Sequence, residues 1–240
     1  MTMPSLQNIG TIFRRELRSY FNSPIAYVVI IVFLVIIGWF FSSNLFLMNV
    51  ASMRILFELV PIIFLFFAPA ITMKLLAEEM KSGTLELLTT KPVRDAEIIL
   101  GKFLAAWILL VAALVPTLLY VMTLAFLGPL DPGPVLTGYL GLLLMGSVYI
   151  AIGLFASSVT ESQIIAFILS FLIVLALFLF DKVLIYVPEG LTSILEFLAV
   201  DFHFSNIARG VVDTRDIIYF LSLLLFSLLL ATVSLQRRKW

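Results

Sequence analysis

Long apolar runs separated by short polar breaks occupy almost the whole chain, and within each run the apolar residues follow one another without alternation. Period-two alternation marks a strand with one wet face, whereas unbroken runs mark helices that are apolar on every side. A helix needs about 20 such residues to cross a hydrocarbon core of about 30 Å. Runs of that order lie at 25–47, 57–76, 97–127, 136–157, 163–180 and 217–235. The expected fold is all-α: a single transmembrane domain spanning residues 1–240, with six membrane-crossing helices.

The polar segments carry structure of their own. Over residues 6–23, Ile9, Ile12, Phe13, Leu17, Tyr20 and Phe21 recur at helical spacing, while Arg14, Arg15 and Arg18 take the other side. That pattern predicts an amphipathic helix lying along a leaflet, with Ser23 and Pro24 turning the chain into the first span. The alternative is a basic topogenic tail without fixed structure. Between spans two and three, residues 77–96 form a longer polar segment. Gly83 ends a helix there, Thr84 suits the cap of a new short one, Pro92 stops it and Asp95 restarts the chain. Leu85, Leu87 and Leu88 would give this short helix apolar anchors, with Glu78, Glu79, Lys81 and Glu86 as charged neighbours. Its simplest alternative role is a turn that steadies span two against span three.

Within the spans, Pro61 and Pro69 predict bends in the second, because each removes a backbone donor. Gly138, Gly141, Gly146, Gly153 and Ser157 in the fourth span, and Gly101 and Ala105 in the third, predict close helix contacts inside the bundle. Thr160 to Gln163 matches a capping box at a tight hairpin. Residues 181–216 form the longest stretch on the far side. There, Leu191, Ile194, Leu195, Leu198 and Ala199 make an apolar stripe after a Ser193 to Glu196 capping box, predicting short helices against the outer leaflet. Arg209-Gly210 reads as a helix end, and Asp213 or Thr214 as the cap of span six with Asp216 near its positive end.

Composition agrees with a membrane protein: 62% of residues are hydrophobic and the mean hydropathy is +1.16. An even number of spans puts both termini on one side. Arg14, Arg15, Arg18, Lys74, Lys81, Lys91, Arg94, Lys102, Arg237, Arg238 and Lys239 fall on that side, against Arg54, Lys182, Arg209 and Arg215 on the other. By the positive-inside rule the termini and the 77–96 segment are cytoplasmic. The first run is too long for a signal-peptide core and is expected to stay as an anchor. A formal net charge of zero gives no basic face for nucleic acid. With no cysteine in the sequence, disulfides and thiolate metal sites are excluded.

Catalytic chemistry is hard to find. The single histidine, His203, rules out a two-histidine metal site and reads as a solvated ring in an aromatic cluster. Asp201, Asp213 and Asp216 could meet a cation in principle, but read better as solvated or capping groups. A phosphate-binding Gly-x-x-x-x-Gly-Lys-Ser/Thr loop does not occur, so any ATP, with its Mg, must be bound by another polypeptide. The chain is expected to have no catalytic residue, metal or cofactor of its own.

Glu78-Glu79, Ser82-Gly83-Thr84-Leu85-Glu86-Leu87-Leu88, Lys91-Pro92-Val93 and Ile98-Ile99-Leu100-Gly101-Lys102 together resemble the signature of ABC-2 type transporter permeases. More narrowly, Phe21-Asn22-Ser23-Pro24, Pro69-Ala70-Ile71-Thr72-Met73, Pro116-Thr117-Leu118-Leu119-Tyr120 and Arg209 to Asp216 resemble the gliding-motility-associated (Gld-type) permease subunit. The copper-maturation type of permease shares the loop.

The resemblance implies a bacterial inner-membrane exporter subunit that pairs with a second copy or a related permease and sits on separate ABC ATPase subunits. Glu78, Glu79, Lys81, Gly83, Thr84, Leu85, Glu86, Leu87 and Leu88 would be the ATPase-coupling residues. The leading helix, with Phe13, Arg14, Arg15, Leu17 and Arg18, would sit against membrane lipid and transmit the same motion. The Gld-type likeness further implies an accessory extracytoplasmic, membrane-anchored protein, expected to touch Phe197, His203 and Arg209. The competing functions are a membrane-embedded hydrolase or transferase, which would need a polar cluster inside the spans, a non-transporting assembly scaffold, and a permease of the copper-maturation type.

Overall fold

The computed structural model describes residues 5–47, 52–84, 93–128, 130–183 and 195–237. The described chain is helical almost throughout: α1 (Leu6–Asn22), α2 (Pro24–Leu47), α3 (Arg54–Thr72), α4 (Ala77–Lys81), α5 (Asp95–Leu114), a 3₁₀ turn (Val115–Thr117), α6 (Leu118–Leu127), α7 (Pro132–Val159), α8 (Gln163–Val183), α9 (Val200–Ala208) and α10 (Thr214–Arg237). Among the described residues six units are long and apolar enough to cross a membrane: α2, α3 with α4, α5 with α6, α7, α8 and α10. Most run two to five residues past their apolar core at one or both ends, and α2 by a single residue, because caps such as Asp131, whose carboxylate accepts from Gly133 N at 3.0 Å, lie outside the hydropathy signal.

The hub is α7. It is the most enclosed of the spans and packs against α3, α5, α8, α9 and α10. Its glycines set those distances. A Cβ at Gly138 would lie 2.4 Å from the Phe57 ring of α3, one at Gly146 would lie 2.5 Å from Leu110 of α5, and one at Gly153 would lie 2.0 Å from the Thr72 hydroxyl. The small-residue pattern is spent on seams inside the bundle, as expected. Outward, α2 and α8 expose rows of large apolar residues, among them Val28, Val35 and Trp39, Ile164 and Leu172.

Two spans depart from the sequence expectation. The third is not one helix, because Pro116 cannot donate to the carbonyl a turn earlier and the chain tightens into the 3₁₀ turn. Thr117 there donates to Leu114 O at 2.6 Å and meets the Tyr139 hydroxyl at 2.8 Å. The second span contains Pro61 and Pro69 within α3, and its helix is interrupted after Thr72, inside the run expected to be continuous. Leu75 N bonds Thr72 O at 3.0 Å, a three-residue step, and α4 begins at Ala77.

Elsewhere the local signals hold. Ser23 alone joins α1 to α2, its hydroxyl accepting from Ile25 N at 3.3 Å. Gly210 takes a φ of +96° just after α9, a backbone region that favours glycine. Asp213 accepts from Arg215 N at 2.9 Å and so caps α10. At the hairpin before α8 the cap is Ser162, one residue before the helix, rather than Thr160. Thr160 instead turns the chain by accepting from Ser162 N at 3.2 Å. Of the far-side segment, 195–198 and α9 are helical, while Leu191, Ser193 and Ile194 lie outside the described residues.

Candidate functional site: an ionic clasp beside the polar loop

Where α1 crosses the ends of α3, α4 and α5, four charges from three elements meet. Arg15 Nη2 lies 2.7 Å from Glu16 Oε1 and 2.7 Å from Glu79 Oε1. Lys102 Nζ lies 3.1 Å from Glu16 Oε1 and 2.9 Å from Glu79 Oε2. Two cations and two carboxylates balance. Lys102 is only 1% exposed, and an ammonium so buried is tolerated only when its charge is closely matched. Burial works against the ionised form of Glu16, yet Lys102 and Arg15 outweigh it and hold the carboxyl below its ordinary value.

The sequence explains why α1 reaches this place. Its apolar stripe, which predicts contact with a leaflet, is largely taken up by the protein itself: Ile9, Ile12 and Tyr20 are buried. Gly101 of α5 is the seat, since a Cβ there would lie 2.7 Å from Ile12 Cγ2 and 3.2 Å from Ile9 O. The helix is also tied at both ends. Glu97 of α5, buried, accepts from Ser5 N at 2.7 Å and from Asn8 Nδ2 at 2.8 Å, and from Arg94 N at 3.1 Å. At the other end the Tyr20 hydroxyl donates to Ile71 O at 2.6 Å, using a carbonyl that the break after α3 leaves free. Burial, then the Glu16 charge, pushes the Tyr20 phenol well above its usual pKa, so it stays a donor.

The break itself is closed from α7. Ser157 Oγ donates to Met73 O at 3.1 Å and accepts from Leu76 N at 3.1 Å and Ala77 N at 3.0 Å. One side chain therefore serves as C-cap for α3 and N-cap for α4. A cavity of 320 Å³ opens beside the clasp, lined by Arg15, Glu16, Tyr20, Lys74, Glu79 and Lys102 among others, with Lys74 Nζ 4.9 Å from the Tyr20 ring centre.

Of the residues singled out from sequence, Glu79 and Arg15 are members of the clasp. Glu78, Lys81, Gly83 and Thr84 are exposed beyond it. Gly83 ends α4 with φ +68°, as expected, and the Thr84 hydroxyl sits 2.9 Å from that of Ser82. Leu85, Glu86, Leu87 and Leu88 lie outside the described residues. Arg14 and Arg18 are exposed, and Phe13 and Leu17 half-buried. Sequence reasoning gave Lys102, Tyr20 and Ser157 other roles and passed over Glu16 and Glu97. Two had a signal: Lys102 is a lone charge a turn and a half into an apolar run, and Glu16 is the sole acid of a basic helix.

On the far side the solvated reading of His203 is overturned. The ring is 7% exposed; Nδ1 lies 2.6 Å from Asp216 Oδ1, Nε2 lies 3.2 Å from Phe197 O, and the face stacks on Tyr219 at 4.0 Å. Tyr219 donates to Leu198 O at 2.8 Å, so these side chains staple the 195–208 region to α10. Asp216 is thus a buried partner of His203. Asp201 pairs with Lys182 at 2.7 Å and Asp213 caps α10, so the three aspartates serve three separate contacts. Among the described residues no group of three His, Cys, Asp or Glu gathers into a metal site. Phe197, 65% exposed, and Arg209 face outward, whereas His203 faces inward.

A family model described as ABC-2 family transporter protein matches residues 10–240. None of the curated proteins matches the sequence.

Proposed function

The chain belongs to the ABC-2 family of transporter proteins, and from that premise we propose that it is a permease subunit driven by ATP hydrolysis on a separate ABC ATPase. Membrane domains of this family are the non-catalytic partners of such ATPases. In this reading the termini and the 77–96 segment lie in the cytoplasm of a bacterium, beneath the inner membrane, as the lysine and arginine distribution favours. Leu85, Leu87 and Leu88 enter a cleft on the ATPase, with Glu78, Lys81 and Glu86 at its rim and Glu79 tying the segment to the clasp. ATP and Mg stay on that partner.

The observation that supports this reading most is the ionic clasp. Glu79 stands at the start of the 77–96 segment, Lys102 shortly past its end, and Arg15 and Glu16 on the leading helix. A push on the loop therefore reaches α1, α4 and α5 together, because separating any one strands a buried charge. The Ser157 cap gives α4 a hinge against α3, through which that push can re-pack the spans. The spans have few charges, which suits an apolar or amphipathic cargo, or mechanical transmission, better than an ion path.

Within the family we assign the chain to the gliding-motility-associated type, on the four motifs it resembles. The functional unit is then two permease chains, identical or related, on a pair of ATPases. An accessory extracytoplasmic protein would meet the exposed Phe197 and Arg209. Purification of the full-length chain from native membranes tests the core of this reading: a stoichiometric ABC ATPase is expected with it. In vesicles, Leu87→Arg should bring ATP turnover of the complex down to that of the ATPase alone while leaving membrane insertion intact. Absence of an ATPase, or unchanged turnover in Leu87→Arg, rejects the docking.

A further inference from the structure

The polar side of α1 is organised as a site. Thr11, Arg14, Arg15, Arg18, Ser19 and Asn22, spaced three and four apart except for adjacent pairs, line one groove of 590 Å³ with no carboxylate among them. Arg15 is committed to Glu16 and Glu79, but among the described residues Arg14 and Arg18 have no ion pair. Like charges one turn apart on a helix repel. An anion in the groove would relieve that repulsion.

The groove lies close along the chain to the first membrane-crossing helix. Only Ser23 separates α1 from α2, whose apolar run begins at Ile25. At about 1.5 Å of rise per residue, Arg18 is within roughly 10 Å along the chain of the first membrane-embedded residues. Phe21 and Tyr27 pack edge to face at 6.2 Å across the elbow, with Tyr27 half exposed, as aromatic residues do at a membrane boundary. Because Ile9, Ile12 and Tyr20 are buried against the protein, α1 cannot sink into the acyl region by that face. What it offers the leaflet is guanidinium, a planar fork that matches two oxygens of a phosphate.

We propose that Arg14 and Arg18 form a binding site for the phosphate of an anionic phospholipid headgroup, with Ser19 and Asn22 as auxiliary donors. A zwitterionic headgroup presents the same phosphate, but its own cation cancels the attraction of the stripe. An acidic protein surface is the less favoured occupant, because Arg18 lies only about two turns from the first membrane-embedded residue. The site stands independently of the ATPase-docking reading.

Native mass spectrometry of the full-length chain in mild detergent, titrated separately with phosphatidylglycerol, phosphatidylcholine and inorganic phosphate, tests it. Phosphatidylglycerol should bind in preference to phosphatidylcholine. The Arg14→Gln/Arg18→Gln variant should weaken that binding about tenfold or more, as expected for lost charge-assisted contacts. Arg14→Lys/Arg18→Lys, which keeps charge without the fork and keeps the helix soluble on that side, should fall between. Equal phosphatidylglycerol binding by wild type and the glutamine variant overturns the proposal. So does inorganic phosphate that binds the wild type while phosphatidylglycerol does not, which would make this a solute site. Loss of a co-purifying protein in the glutamine variant with lipid binding unchanged would assign the groove to a protein instead.

Discussion

The hydroxyl of Ser157 spans the break in the second membrane-crossing unit, donating to the carbonyl of Met73 at 3.1 Å while accepting Leu76 N and Ala77 N from the far side of the same break. Ser157→Ala should leave two buried amides and the part-buried Met73 carbonyl without that partner and destabilise the protein by about 1–3 kcal/mol. Gly153→Ala, one turn earlier, should cost about as much by the opposite route, since the new methyl would press on the Thr72 hydroxyl. Thermal unfolding of the detergent-solubilised chain measures both, and Ser157→Thr, if its methyl is accommodated, should recover part of the loss.

Lys102→Met should be more damaging than its conservative volume suggests, by about 3 kcal/mol, because it leaves Glu16 and Glu79 facing each other with only the half-exposed Arg15 between them. Adding Glu79→Gln to Lys102→Met should then restore stability rather than subtract further. Melting temperatures of the two single variants and the double form the cycle that decides it, and additive losses would show that the charges do not act together.

Glu16 sets a pH signature. Its folded carboxyl is held below the ordinary value of 4.5. Its contribution is therefore fully present above pH 4.5 and is lost as pH falls through the lower folded value. Glu16→Gln should be less stable than wild type at neutral pH, with the difference shrinking only once the solution is more acid than 4.5. A melting-temperature gap that stays constant into that acid range would mean that the clasp does not lower the Glu16 pKa.

Much of the candidate site could be read before any coordinates, and the misses share a cause. Glu79, Arg15 and Gly83 stood out because each is a polar or breaking residue where the apolar pattern stops, a signal carried by neighbours in sequence. Lys102 and Glu16 are 86 residues apart, and nothing local to either announces the other. His203 looked solvated for the same reason: its partner Asp216 is 13 residues away, across Gly210 and the start of α10. The apolar stripe of α1 was correctly seen, but periodicity tells only that a face is buried and not whether lipid or protein buries it. Gly101 decided that, by letting Ile12 approach where a side chain would have excluded it.

Hydropathy alone determined that this protein is a helical bundle of six membrane-crossing units, because a backbone in hydrocarbon must bond to itself and only a run of apolar side chains makes that helix soluble there. Caps and glycines, also local, determined where most helices start and stop. Tertiary structure decided which charges are buried and with whom, since a lysine can leave water only where folding has already gathered its counter-charges from other segments of the chain.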